Sequence, residues 1–584
     1  MRRALGLAAA VVLAASLLAA ARPGRASPAA DWMPVTEIRP GMRGQARTVV
    51  RGTRVESFDV EALAVVPGGG PAGDLILIRA SGPLVQRTGG IAAGMSGSPV
   101  FFNGRLAGAI GYGWAFADHT VGLVTPIADM LRSMPPPRAD RYRLPHPIAA
   151  SGRTIEEVAI VSVPAQGRAL EAREPRVAAM VPLARPLLVS GLSPRAAQFL
   201  RTWVEPWDLH PIEGAAGAST EIRPPLVPGS AIGVQLLRGD LNAVAIGTLT
   251  YRQGDSIVAF GHPFLNRGRT GYLLTAASIH EVVRSAAFPF KVGSAGAPVG
   301  VVLEDRRAGI GGRLGVLPPM VGVRARVTDR DRGRAVTLGT QVVRDPQVGP
   351  LLVLVSAIEA VDRALDRVGE GTARVRLTLR ARGLDGPLVR ENVFYHARDI
   401  GSAALLELPE ALRLLFANEF VRTGPVDVTV EAEVEQTRKT ASVVEAVPER
   451  SRLRRGETAV VRVTLRPFQG EAEVRSVEVP VLQGFPLGPA TLLVRAGGRP
   501  LPEQGVMALL SAEPGEAPAP SASAQVALFA ERDRNTDVVV ELIPGAARFP
   551  EGGSAGTVQP VRVRLTTPWV VRGRVQVPLT IDAP

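Results

Sequence analysis

Along much of this chain apolar residues alternate with polar ones, the period of two that half-buried strands show. VESFDVEALAVV (55–66), ARVRLTLRA (373–381), VDVTVEAEVE (426–435) and GETAVVRVTLRPF (456–468) all read this way. LILIRA (75–80) and SIVAF (256–260) are shorter apolar strands. Helical spacing is confined to a few segments. SPRAAQFLRTWVEPW (193–207) begins with Ser193 as an N-cap and Pro194 in the first turn. SAIEAVDRALDR (356–367) opens with the Ser356/Glu359 pattern of a capping box. A third helical segment, 402–420, is divided by Pro409. The pattern predicts a mainly β protein.

Breaks in the pattern divide it. A β unit over 33–140 ends in the helix of LVTPIADMLRSM and the run PPPR (135–138). An intervening α/β segment spans 141–225 and contains the loop GAAGAS (214–219). β structure returns over 226–330 and is followed by an α+β accessory region at 331–440. Residues 441–510 read as a self-contained, Ig-like β-sandwich. The proline-rich stretch at 511–524 reads as a linker, and 525–584 as a closing helix and strands.

Composition adds the compartment and removes several kinds of chemistry. With 62 glycines and 50 prolines, turns and short strands are favoured over long helices. Arg2 and Arg3 precede an apolar run at 5–21 and small residues at Gly24 and Ala26, the layout of a secretory signal over 1–26. No later segment is apolar enough to span a bilayer. The expectation is an exported protein, periplasmic, envelope-associated or extracellular, with no stable membrane span after cleavage. There is no cysteine, so thiol nucleophiles, disulfides and thiolate metal sites are excluded. The net charge of +13 comes from arginines spread along the chain, with Lys291 and Lys439 the only lysines. Nucleic-acid binding needs a concentrated basic footprint, which is lacking. No carboxylate cluster has metal-ligand spacing, so neither metal nor cofactor is expected.

The densest candidate chemistry lies in GGIAAGMSGSPVFFNGRLAGAIGYGW (89–114). Acyl transfer to a hydroxyl needs a nucleophile, a base and donors for the oxyanion. Glycines at 94 and 97 let the chain turn sharply around Ser96, so that the N–H groups of Gly94 and Ser96 can converge as oxyanion donors. Behind them lie a strand, an Asn103-Gly104 turn and a returning strand. The same glycines would also suit a plain β-arch capped by Ser96.

Together with GTRVESFDVEALAVV (52–66) and VTPIADML (124–131), this stretch resembles the nucleophile region of the SpoIVB-type serine peptidases, which are placed among the trypsin-like double-barrel proteases. The resemblance implies a double β-barrel with Ser96 as nucleophile. Of six histidines it selects His262, because GTLTYRQGDSIVAFGHPFLNRG (247–268) is similar to the family's histidine-bearing segment. Independently, His262 follows an apolar strand between Gly261 and Pro263, where a base is well presented. His119, in the loop FADHT, is the rival, and Lys291 offers a serine–lysine alternative.

Two departures from the family follow. The histidine segment comes after the serine segment, a permuted order, and no PDZ module is evident. The family's aspartate position, fifteen residues before the serine, is Ser81 here. Candidates for the missing acid or orienter are Asp118 and Ser81, with Asp255 and Asp305 also available. The resulting expectation is an exported serine endopeptidase that acts on a protein or peptide substrate. The alternative is a catalytically degenerate binding or scaffold protein that engages an envelope partner through its C-terminal β domains.

Overall fold

A computed structural model describes residues 32–70, 73–132, 141–160, 170–182, 185–207, 209–214, 222–418, 420, 424–498, 521–545 and 561–584. The segment 1–26 read as a signal sequence, the PPPR boundary, nearly all of the 214–219 loop and residues 511–520 of the expected linker lie outside these. Among the described residues no helix is long and apolar enough to cross a membrane.

Six strands form the first barrel: β1 (Arg43–Val49), β2 (Val55–Gly70), β3 (Gly73–Ser81), β4 (Pro99–Phe102), β5 (Arg105–Gly113) and β6 (Val121–Pro126). They pair in the order β4-β1-β2-β3-β6-β5, and β4–β5 pairing closes the ring. Alternation in β2 sends Phe58, Val60 and Ala62 inward to meet Ile76, Ile78, Phe102 and Val124. β3 is apolar without alternation because its outer face is also covered. Leu75 and Leu77 pack with Trp114 against Leu144 and Ile155 of β7 (Arg141–Ala150) and β8 (Arg153–Ile160). β9 (Val177–Pro182) links β8 to β5.

The second barrel repeats the closure. β10 (Arg185–Ser190) and β11 (Leu209–Glu213) lie at its side. Its ring comprises β12 (Ala231–Gly239), β13 (Asn242–Gln253), β14 (Ser256–Ala259), β15 (Gly268–Val283), β16 (Phe290–Arg306) and β17 (Gly309–Leu314). The order is β13-β14-β17-β16-β15-β12, closed by β12–β13. The chain is therefore a double β-barrel with further β-rich parts attached.

The region after 331 is continuous with this barrel. The end of β12 leaves the ring to pair with β19 (Arg334–Val343), extending the sheet through β18 (Met320–Asp329), β22 (Gly424–Glu435), β20 (Gly371–Arg382) and β21 (Leu388–His396). A helix, Val348–Leu365, covers β18 and β19 with nearly every residue buried. It begins eight residues before the capping box suggested. Burial of the run 351–355 draws the helix back to Asp345, whose Oδ1 accepts the N–H groups of Gln347 and Val348 at 2.9 Å each. Ser356 is mid-helix, and its hydroxyl donates to Leu352 O at 2.9 Å. Ser193 caps its helix as the sequence suggested, accepting from Ala196 N at 3.2 Å.

The sandwich is larger than the segment 441–510. One sheet holds β23 (Thr440–Pro448), β25 (Thr458–Pro467), β26 (Glu473–Pro480) and β30 (Val570–Arg572). The other holds β24 (Arg452–Arg454), β27 (Gly488–Ala496), β28 (Asp537–Pro544), β29 (Val561–Thr566) and β31 (Arg574–Asp582). Strands assigned to a separate C-terminal piece thus complete it, because β27 needs both β28 and β31 to pair its two edges. Residues 521–524, read as linker, start a helix capped by Ser521.

Arg390 of β21 fastens this end of the molecule. It is 2% exposed. It forms two bonds to Glu407, at 2.8 and 2.9 Å, and also donates to the carbonyls of Ala530, Arg532 and Asp533. Removing one partner of a buried, fully bonded pair strands the other. Arg390→Met is expected to lower unfolding stability by about 3–5 kcal/mol, measured by denaturant titration of the full chain.

Candidate functional site

The Ser96 loop belongs to the first barrel but is bonded on both flanks to the second. On one side, Thr248 N donates to Ser96 O at 2.9 Å, Thr248 Oγ1 to Gly94 O at 3.0 Å and Thr250 Oγ1 to Gly97 O at 2.8 Å. On the other, Ala93 N donates to Pro289 O at 2.7 Å and Lys291 N to Ala93 O at 3.0 Å. The loop is thus a filling between two barrels. Two glycines make this passage possible. Gly94 and Gly97 both have φ near +89°, and a Cβ on Gly97 would lie 2.0 Å from Thr248 O and 2.5 Å from Phe260 N.

Within this loop most N–H groups have acceptors: Met95 N donates to Ala92 O, Gly97 N to Ile110 O and Ser98 N to Met95 O. The N–H groups of Gly94 and Ser96 donate to no acceptor among the described residues. Two unengaged donors beside one serine are the groups that an oxyanion would draw on. Ser96 is 4% exposed, and its Oγ forms no hydrogen bond among the described residues.

His262 comes from the opposite barrel. It follows β14 through Phe260 and Gly261, whose φ values of +73° and +69° turn the chain sharply. For phenylalanine that is a strained conformation, held by the surrounding contacts. Phe260 N abuts Gly97, and Thr125 Oγ1 of the first barrel donates to Gly261 O at 2.6 Å. The His262 turn and the Ser96 loop therefore touch through their backbones. The imidazole is 1% exposed, between Phe260 and Tyr112 at centroid distances of 5.8 and 6.5 Å. Its Nδ1 lies 2.7 Å from Pro263 O. A carbonyl only accepts, so Nδ1 carries the proton and Nε2 the lone pair, the tautomer a general base needs.

Residues 27–131 match the family model described as SpoIVB peptidase S55. The serine-bearing barrel is similar to that peptidase family over those residues. The S55 match covers less than a fifth of the chain and ends before His262. Neither the curated proteins nor the solved structures contain a match to this chain.

The other sequence candidates lie elsewhere around the first barrel. Ser81 is exposed at the end of β3, opposite Asp59 of β2. Asp118 Oδ1 accepts from Thr120 N at 2.9 Å and from its hydroxyl at 2.5 Å, and the histidine it acts on is His119. His119 stacks on Phe288 at 5.6 Å, and burial lowers its pKa. Its carbonyl accepts from Ile91 N, so this residue shapes the approach to the loop. One serine–histidine pair escaped the sequence reading: His280 Nε2 lies 2.6 Å from Ser294 Oγ, across β15 and β16. Ser294 sits mid-strand opposite Ser278, without a glycine turn to gather oxyanion donors. Among the described residues no group of three His, Asp or Glu side chains is placed to hold a metal.

Lys291 lies beneath the loop. Its methylenes would meet a Cβ on Gly94 at 3.1–3.3 Å, and its Nζ donates to Thr48 Oγ1 at 2.8 Å. The side chain is fully buried, and no carboxylate pairs with it among the described residues. Desolvation pulls its pKa down to about 7 from the ordinary 10.5. Burial of this ammonium therefore costs stability in full below pH 7, and the cost fades as pH rises toward 10.5. Relative to Lys291→Met, wild type should gain up to ~1.4 kcal/mol of unfolding stability per pH unit across that window, read from paired denaturation curves. Gly97→Ala should separate the loop from Thr248 and Phe260. Its expected result is a fall of about 2–4 kcal/mol in stability with loss of any Ser96 reactivity.

Proposed function

We propose that this chain is an exported serine endopeptidase of the SpoIVB type, in which Ser96 is the nucleophile and His262 its general base. The observation that carries this reading is the direct packing of the Phe260–His262 turn of one barrel on the Ser96 loop of the other. In the proposed reaction a peptide carbonyl docks at Ser96 with its oxygen toward the N–H groups of Gly94 and Ser96. His262 Nε2 takes the hydroxyl proton as Oγ attacks, and returns it to the leaving amine. Water then repeats the sequence to release the acyl group. In unliganded enzymes the serine–histidine contact is often long and closes with substrate, which accords with the unbonded Ser96 Oγ. The family's serine and histidine halves would here stand in permuted order, and the C-terminal β-sandwich would engage an envelope protein partner.

One observation favours the competing reading, a protease-fold scaffold without catalysis. Ser81, at the expected aspartate position, is exposed and forms no side-chain hydrogen bond among the described residues. A fluorophosphonate probe separates the two readings. Wild type should be labelled at a single site, and Ser96→Ala should abolish labelling. His262→Ala should slow it by roughly 10²–10⁴-fold, the usual worth of a general base. An unlabelled but folded wild type would leave the scaffold reading in place.

A further inference from the structure

The acid absent from position 81 has a counterpart on a different strand. Asp305 lies on β16, and its side chain is fully buried. An isolated carboxylate there would be costly, so its hydrogen bonds indicate what it is for. Oδ1 accepts from Phe264 N at 2.7 Å, and Oδ2 from Leu265 N at 2.7 Å and Arg267 N at 3.3 Å. All three donors belong to the segment that follows His262.

The first of these bonds has a specific consequence. The N–H of Phe264 and the C=O of Pro263 are two ends of one peptide group. That carbonyl is the acceptor of His262 Nδ1, at 2.7 Å. A carboxylate on the N–H end polarises the amide and makes its oxygen a stronger acceptor, because hydrogen bonds in series reinforce one another in a buried setting. The line runs from Asp305 Oδ1 through peptide 263–264 to the imidazole N–H. It performs both tasks of a triad aspartate, fixing the tautomer and favouring the imidazolium, with a peptide group interposed.

We propose that Asp305 is the positioning acid of the His262 site, acting through the peptide bond between Pro263 and Phe264. This rests on the reading of His262 as the base. The bonds to Leu265 and Arg267 hold the rest of the segment, so the polarised carbonyl stays aimed at the ring. Asp305 touches neither the nucleophile nor a docked carbonyl in this arrangement.

The test compares wild type, Asp305→Asn and Asp305→Ala as full chains labelled with ¹⁵N-histidine, of which there are six to assign, and with ¹³C-carbonyl proline. Wild type should show a downfield, exchange-protected Hδ1 resonance for His262, with scalar coupling to the Pro263 carbonyl carbon. In variants that keep a cooperative melt, that proton should move upfield and exchange faster, and fluorophosphonate labelling should slow roughly 100-fold. With a peptide substrate the loss should fall on kcat, leaving KM unchanged. Unaltered Hδ1 and labelling rates in a folded variant would overturn the proposal. Absence of the Pro263 coupling in wild type would do the same, whatever the variants' folding. If wild type shows the resonance, the variants lose it and nothing is ever labelled, the relay stands and the peptidase reading fails.

Discussion

The approach of the Gly97 backbone to Thr248 and Phe260 governs the geometry of the whole double barrel. At that point a loop of one barrel lies against a strand and a turn of the other, with no room for a side-chain carbon. Every bond that seats the nucleophile loop, from Thr248, Thr250, Pro289 and Lys291, depends on that proximity. Neither barrel holds the candidate site alone. Ser96 and the N–H groups proposed as oxyanion donors come from the first, and His262 and Asp305 from the second. Rigid closed sheets on both sides leave few ways for these groups to drift apart.

Around the serine the structure separates charge from reactivity. The loop is anchored mainly by backbone carbonyls and threonine hydroxyls. The ammonium beneath it is half-neutralised near pH 7 by loss of water. The buried carboxylate of Asp305 accepts from backbone N–H groups of the histidine's segment. In the proposed relay it acts on the imidazole through a peptide group, with the electrical polarity of a serine-protease triad.

Much of this was legible in sequence, for identifiable reasons. The strands of β2, β20, β22 and β25 alternate because one face is buried and the other wet, so their pattern reports them directly. Glycine at 94 and 97 beside Ser96 signals a sharp turn because few other residues tolerate it. What was illegible depends on partners distant in sequence. β27 reads as an ordinary strand, and nothing in it says that residues 574–582 will lie along its edge. The helix around Ser356 begins early because a sheet covers 351–355, which a local capping pattern does not register. Asp305 was one of several candidate acids, and no local pattern set it apart until the fold placed it under the backbone of Phe264. Ser81 drew attention through a family spacing. In the proposed relay Asp305 meets the same electrostatic need 224 residues later, on another strand.

The buried guanidinium of Arg390 has a consequence for the order in which the molecule is made. Three of its acceptors are carbonyls at least 140 residues further along the chain. As the polypeptide emerges, both barrels and the extended sheet can complete themselves while this cation still has only Glu407. The sandwich stays open on the same schedule, because β27 waits for β31, which follows it in the chain. Synthesis therefore passes through a stage with finished barrels and an unsealed seam between β21 and the helix Ala522–Ala530. Closing that seam joins the maturation of this half to the arrival of strands made after β21.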